Sequence, residues 1–227
     1  MNEPRLSFTP MLILSAIVIA IMLALSRWAW IELPGDVRIP IHWNFRGEVD
    51  GYAGKPMGLL FMPLMALVLC LAFAFAPRIE PRCQNFARSR KAYRMVWGSV
   101  LAMILALHAS MILSILGFGV DVISVLLVML GAQFIILGNY LGKTRSNFIL
   151  GVRTRWTLSS ELSWNKTHRL GGKLFMLLGL FVALGPWLSS RNGLWAIVLL
   201  GGVLVIGVFL TVYSWYIFKK DPAAPRD

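Results

Sequence analysis

Six apolar runs, each long enough to cross a lipid bilayer, constrain this chain more than any other feature of its sequence. They cover Phe8–Ile31, Met57–Ala76, Met95–Val120, Val122–Gly142, Leu174–Ser190 and Asn192–Phe218. A spanning helix needs about 20 mostly apolar residues, with some latitude for tilt. The second to fifth runs contain no Asp, Glu, Lys or Arg. The first contains only Arg27, close enough to its end to snorkel beside Trp28 and Trp30. Backbone polar groups in lipid have to be paired within their own segment, so such runs fold as helices, and no period-2 barrel pattern is present. The expected fold is all-α: a polytopic membrane bundle of about six transmembrane helices. The first run is longer than a signal-peptide core and has no small-residue cleavage site after it, so it is expected to stay as a helix.

Composition agrees. Hydrophobic residues make up 58% and charged residues 14% of the chain, with a mean hydropathy of +0.71, which excludes a water-soluble core. A net charge of +12 suggests nucleic acid at first sight. No stretch outside the runs is long enough to form a basic domain, so direct nucleic-acid binding is not expected. Membrane topology explains the charge instead. The segments on one side of the six runs carry 17 Lys and Arg, those on the other side 5. By the positive-inside rule both termini and the loop 143–173 lie inside, and the segment 32–56 lies outside. The two cysteines, Cys70 and Cys83, support neither a disulfide framework nor a thiolate metal site.

Two loops are left to carry function. The external one, Leu33–Pro56, is dense in turn formers around a β-like stretch, Ile39–Phe45. Period 2 places His42, Asn44 and Arg46 on one side and Ile41, Trp43 and Phe45 on the other. His42, Asn44, Glu48 and Asp50 form a polar cluster suited to a peptide or a cation, while Trp43 and Tyr52 suit the interfacial belt. Gly47, Gly51 and Gly54 are expected to set turns, with Asp50-Gly51 a favoured turn pair. A three-histidine metal site is excluded, because His42, His108 and His168 fall outside, mid-membrane and inside. No cofactor is implied.

The internal loop, Gly138–Lys173, carries more basic residues than any other segment. Ser159 or Ser160 can cap a short helix from about Ser160 to Leu170, with Glu161 in its first turn and Gly171-Gly172 ending it. On that helix Glu161, Trp164, Asn165 and His168 make one stripe at i, i+3, i+4 and i+7. Arg153, just after Gly151, is placed to bind helix C-terminal carbonyls or Glu161. The glycines of the last run, Gly201, Gly202 and Gly207, lack four-residue spacing and speak only of packing.

These loops carry a resemblance that composition does not show. The external loop has Leu33-Pro34, Pro40-Ile41-His42-Trp43, Gly47, Asp50-Gly51-Tyr52 and Lys55. The internal segment has Gly138-Asn139-Tyr140, Asn147-Phe148, Gly151-Val152-Arg153-Thr154, Trp156-Thr157-Leu158, Trp164, Lys166-Thr167-His168-Arg169 and Gly171-Gly172. The chain resembles the SdpI family of bacterial membrane immunity proteins, with a DUF1648-type N-terminal region. On that resemblance, residues 1–76 form the DUF1648-like part and 77–227 the SdpI-like part. One departure is Arg155, where the family commonly has proline between its Arg-Thr and Trp-Thr-Leu elements.

The resemblance implies a multi-pass protein of the bacterial cytoplasmic membrane that protects against a secreted, membrane-active toxin peptide. In some members it also implies capture of a cytoplasmic repressor. The expected recognition residues outside are His42, Trp43, Asn44, Glu48, Asp50 and Tyr52. Those inside are Asn139, Asn147, Arg153, Thr154, Trp156, Thr157, Glu161, Trp164 and His168. Two alternatives stand beside this reading. A small transporter or lipid-handling protein needs a polar path, for which the sequence offers His108, Gln133 and Asn139. A membrane peptidase would rely on His42 with Glu48 or Asp50, without an HExxH or GxSxG motif, so a non-enzymatic role is expected.

Overall fold

The computed structural model describes residues 8–188 and 192–225. The short gap between the last two apolar runs predicts a turn from Ser189 to Gly193; most of it, with Arg5 and Arg191, lies outside the described residues. Six helices are long and apolar enough to cross a membrane: α1 (Thr9–Glu32), α2 (Lys55–Phe75), α4 (Arg90–Ile115), α5 (Val122–Leu141), α7 (Glu161–Leu188) and α8 (Asn192–Lys219). Between α1 and α2 stands a hairpin of two antiparallel strands, β1 (Arg38–Trp43) and β2 (Val49–Gly54). Two short helices, α3 (Cys83–Arg88) and α6 (Arg155–Ser159), sit at the opposite, basic end. An all-α polytopic bundle is what the apolar runs predict.

The bundle is built from two sets of three helices. In the first, Met11, Val18 and Met22 of α1 pack with Ala66 and Cys70 of α2, Phe86 of α3, and Tyr93, Trp97, Leu101 and Ile104 of α4. Phe73 stacks on Trp97 with ring centroids 5.5 Å apart, and Phe86 meets Tyr93 edge-on at 5.0 Å. In the second, Ile123 and Leu127 of α5, Leu178 and Val182 of α7 and Trp195 of α8 form a separate core. A smaller cluster under the hairpin joins Ala29, Ile39, Leu59, Met111 and Ile112.

α4 stops five residues before the apolar run does. Gly117 adopts φ +87°, and the Phe118 N–H returns to the Leu113 carbonyl at 3.0 Å, a Schellman-type ending that satisfies the last turn. Asp121 then caps α5, its carboxylate accepting from the Ile123 N–H at 3.0 Å.

The reading of the internal loop needs a larger correction. There is no separate helix ending at Gly171-Gly172, because α7 runs unbroken from Glu161 to Leu188. Ser160 does precede it, its hydroxyl accepting from the Ser163 N–H at 2.9 Å. The two glycines lie in mid-helix for a packing reason. A Cβ on Gly172 would stand 2.5 Å from the Gly138 carbonyl oxygen, and one on Gly179 would stand 2.5 Å from that of Gly131. Two glycine pairs, seven residues apart on each helix, thus bring the α5 and α7 backbones together. Small residues at helix contacts do this in lipid, where burial of apolar surface between helices gains little.

Candidate functional site

The hairpin is shaped by its turn and by two irregularities in its pairing. The turn lies at Asn44–Gly47, with Gly47 at φ +80°, while Asp50-Gly51 lies inside β2. The Asn44 side-chain oxygen accepts from the N–H groups of Arg46 at 2.8 Å and Glu48 at 3.1 Å, and this local bonding outcompetes the Asp-Gly signal. Pairing slips between Pro40 and His42 and again between His42 and Trp43. Ile41 and Asp50 therefore have no partner across the ladder, and the Asp50 carboxylate turns to the His42 Nδ1 at 2.5 Å. Asn44 Nδ2 donates to Glu48 Oε2 at 2.9 Å. The four expected polar residues thus form two exposed pairs rather than one convergent set. Gly51 serves close approach, since a Cβ there would lie 2.8 Å from that of His42.

The apolar side of β1 changes from core to surface along its length. Ile39 is fully buried against Gly58, Trp43 is half-buried, and Phe45 is 70% exposed. Trp43 packs on the under-hairpin cluster and on the α5/α7/α8 core, so one ring joins the two helix sets. On either side of it open two apolar cavities of about 180 and 320 Å³. The smaller is bordered by Ile41, Phe61, Met62 and Met111, the larger by Phe45, Leu130, Ala196 and Leu199, and both by Trp43, Ile123 and Leu126. Tyr52 is exposed. Lys55, one of the external-loop motif residues, is buried: its Nζ donates to the Leu33 carbonyl and lies 5.2 Å from the Trp30 ring centre. It closes the base of the hairpin.

At the other end, residues 142–154 form an irregular plate held by buried side chains. Asn147 is fully buried; its Oδ1 accepts from the N–H groups of Ile149 at 2.9 Å and Leu150 at 2.7 Å, and its Nδ2 donates to the Arg145 carbonyl at 2.7 Å. Trp164 Nε1 donates to the Thr144 carbonyl at 3.0 Å. His168 stacks on Trp164, with centroids 3.9 Å apart. The Val152 N–H donates to His168 Nε2 at 2.9 Å, so this nitrogen carries no proton and Nδ1–H donates to the Trp164 carbonyl at 2.7 Å. That arrangement describes a neutral, fully buried imidazole whose two nitrogens are both used. Gly151, at φ +128°, lies against the Nε2 side of the ring.

Of the expected stripe, Trp164 and His168 face this plate, while Glu161 is exposed and Asn165 half-exposed. Arg153 does not reach Glu161 or a helix end; its guanidinium donates to the Phe148 carbonyl within the loop. The plate folds back on itself there, which brings a nearer carbonyl into the fork's reach. Thr154 caps α6 in a reciprocal capping box with Thr157, and its hydroxyl lies 3.0 Å from that of Ser214 on α8. Thr157 is buried, Trp156 is half-buried, and Asn139 is exposed, accepting from Lys143 Nζ at 2.9 Å.

Four contributors escape a reading of motifs. The Glu80 carboxylate accepts from the N–H groups of Arg82 and Phe148, both at 2.9 Å. Arg82 donates to the Ser146 hydroxyl and, at 2.9 Å, to the Leu158 carbonyl. Asn85 Nδ2 donates to the Ser146 carbonyl at 2.9 Å, and the Ser89 hydroxyl accepts from the Arg145 N–H at 2.9 Å. These residues tie the 76–89 connection to the plate. The available signal was Glu80, the one acid between Pro77 and Arg94.

Arg155 has a local explanation. It is the first residue of α6, and Thr154 before it is extended at φ −109°, ψ 163°. Proline suits the first helical position, and its predecessor has to be extended. Arg155→Pro is therefore expected to raise stability by about 0.4–1 kcal/mol by restricting the unfolded chain. A rise in thermal unfolding midpoint in detergent checks it.

In mid-bundle, His108 is fully buried and lies 3.0 Å from the Ser26 hydroxyl and 3.1 Å from the Met22 carbonyl. Ser26 in turn donates to the Leu59 carbonyl at 2.7 Å, so His108 ties α1, α2 and α4 together. The two hairpin-side cavities and the groove at the basic end share no lining residue.

Comparison with known proteins agrees with both motif regions. The SdpI/YfhL protein family model matches residues 143–214, and the DUF1648 model, a domain of unknown function, matches residues 17–67. The chain is 24% identical over 208 residues to the protein named Immunity protein SdpI of Bacillus subtilis (strain 168), covering 92% of this chain and 96% of that one. No solved structure matches.

Proposed function

We propose that this chain, a multi-pass membrane protein joining a DUF1648 segment to an SdpI/YfhL segment, is an immunity protein that protects the cytoplasmic membrane from a secreted membrane-active peptide. The observation that carries the reading is the hairpin. It stands on the side with few basic residues, hence outside, with Ile41, Trp43 and Phe45 bordering apolar cavities. A peptide entering from outside meets this surface first, its apolar face toward the cavities and its polar groups toward the His42–Asp50 and Asn44–Glu48 pairs. The basic plate then faces the cytoplasm, where a repressor-capturing role would have to reside.

The geometry gives the transport alternative less support. His108 is engaged in a tie between helices, Gln133 is buried, and Asn139 is exposed at the basic end. A peptidase would need a nucleophile or a metal beside the His42–Asp50 pair, and among the described residues no three His, Cys, Asp or Glu side chains converge to hold a metal ion. Expression in a host sensitive to membrane-active peptides tests the proposal. Survival should rise at least tenfold over vector, and survival equal to vector at good membrane levels would refute it.

A further inference from the structure

At the basic end, the turn after α5 and the first turns of α7 enclose a groove of about 300 Å³. That volume is at the lower end for small-molecule sites, roughly 300–1,000 Å³. Its walls are Gly142, Lys143, Thr144 and Arg145 on one side and Asn165 and Arg169 on the other. Three of these six are cations. Among the described residues no carboxylate lies within 4.0 Å of any of the three, the ion pair within that distance being His42–Asp50 at the opposite end. Glu161 borders the adjoining cleft, with Arg145 and Asn165, without pairing to either.

The frame of the groove is fixed while none of its three charges is neutralised by a carboxylate. The Arg145 N–H donates to the buried Ser89 hydroxyl and its carbonyl accepts from Asn147, which holds the backbone on both sides of a side chain with no partner of its own. The Thr144 carbonyl is held by the Trp164 indole, and Lys143 by Asn139 and the Tyr140 ring, 5.1 Å away. Gly142 fits against Arg169, whose Cα and Cγ would be 3.3 and 3.4 Å from a Cβ there. Like charges lining one groove are stabilised by an anion between them, and two guanidinium forks match the oxygens of a phosphate. A preorganised frame also lowers the ordering cost of binding.

We propose that this groove is a binding site for a phosphate-bearing anion, held by Arg145 and Arg169 with Lys143 as the third charge. Its source is the headgroup of an anionic phospholipid of the inner leaflet or a free phosphate from the cytoplasm. The site does not rest on the immunity reading.

The test uses the purified full-length protein in nanodiscs, with the thermal unfolding midpoint as readout. One arm compares phosphatidylcholine discs with and without phosphatidylglycerol; the other adds inorganic phosphate to phosphatidylcholine discs at constant ionic strength. The midpoint should rise by several degrees in one arm, which identifies the source. R145Q/R169Q should lose most of that rise, while R88Q/K91Q, exposed basic residues elsewhere on the same end, should keep it. If the double variant folds poorly, Arg169→Gln alone should lose at least half. No rise in either arm, or equal loss in both double variants, would overturn the proposal.

Discussion

Gly172→Leu is expected to prise α7 away from α5 and to lower stability by about 3 kcal/mol or more, toward the upper range of overpacking effects. The reason is that what a new Cβ meets is main chain. The Gly138 carbonyl oxygen lies 2.5 Å from that position, and neither backbone moves without shifting its whole helix. The seven-residue repeat spreads the damage, because displacement at Gly138/Gly172 also loosens Gly131/Gly179. Gly207→Leu is the control, since a Cβ there meets nothing within 4 Å. Thermal unfolding in detergent should show a large fall for Gly172→Leu and almost none for Gly207→Leu.

Gly151→Ala should cost about 2–4 kcal/mol, from one strained residue and one broken buried hydrogen bond. At φ +128° an L side chain is disfavoured, and the new methyl would run into His168 Nε2, the acceptor for the Val152 N–H. It would also come 3.0 Å from Cη2 of Trp164. A double-mutant cycle tells the two causes apart. His168→Ala removes the obstructing ring, so G151A/H168A should lose less than the sum of the single variants, by about 1 kcal/mol or more. Additive losses in thermal unfolding would mean that backbone strain alone matters.

How much of this was legible in the sequence depends on which force decides each element. The six spans follow from hydropathy, because a bilayer leaves an apolar run of twenty residues no alternative to a helix. The end of α4 at Gly117 and the continuity of α7 through Gly171-Gly172 show one residue type playing opposite parts. Gly117 needs a positive φ, whereas Gly171 and Gly172 need only the lack of a side chain, which becomes visible once Leu210 and Gly138 lie opposite them. Local hydrogen bonds decided the hairpin turn: Asn44 caps it, which the stronger Asp50-Gly51 pattern concealed.

The two end sites differ in the same way. The exposed pairs of the hairpin join residues eight and four apart, so period and composition suffice to place them near one another. The plate depends on contacts between Glu80 and Phe148, Arg82 and Ser146, and Val152 and His168. These pairs are separated by up to 68 residues in the chain, and no local pattern announces them. A charge count treats Arg82 and Lys55 as topological signals, yet both are packed inside the fold.

If protection acts through the hairpin, exposed hairpin residues that folding does not need can test it. Phe45 is 70% exposed, and the His42 and Asp50 side chains are 70% and 44% exposed, so changing them leaves the core intact. The measurement is survival of sensitive cells challenged with a membrane-active peptide from which the wild-type chain protects. Cells carrying Phe45→Ala, or His42→Ala with Asp50→Ala, are compared with wild type at equal membrane levels. Both hairpin variants should lose at least tenfold of the protection; full protection by both would rule out the hairpin as the site of protection.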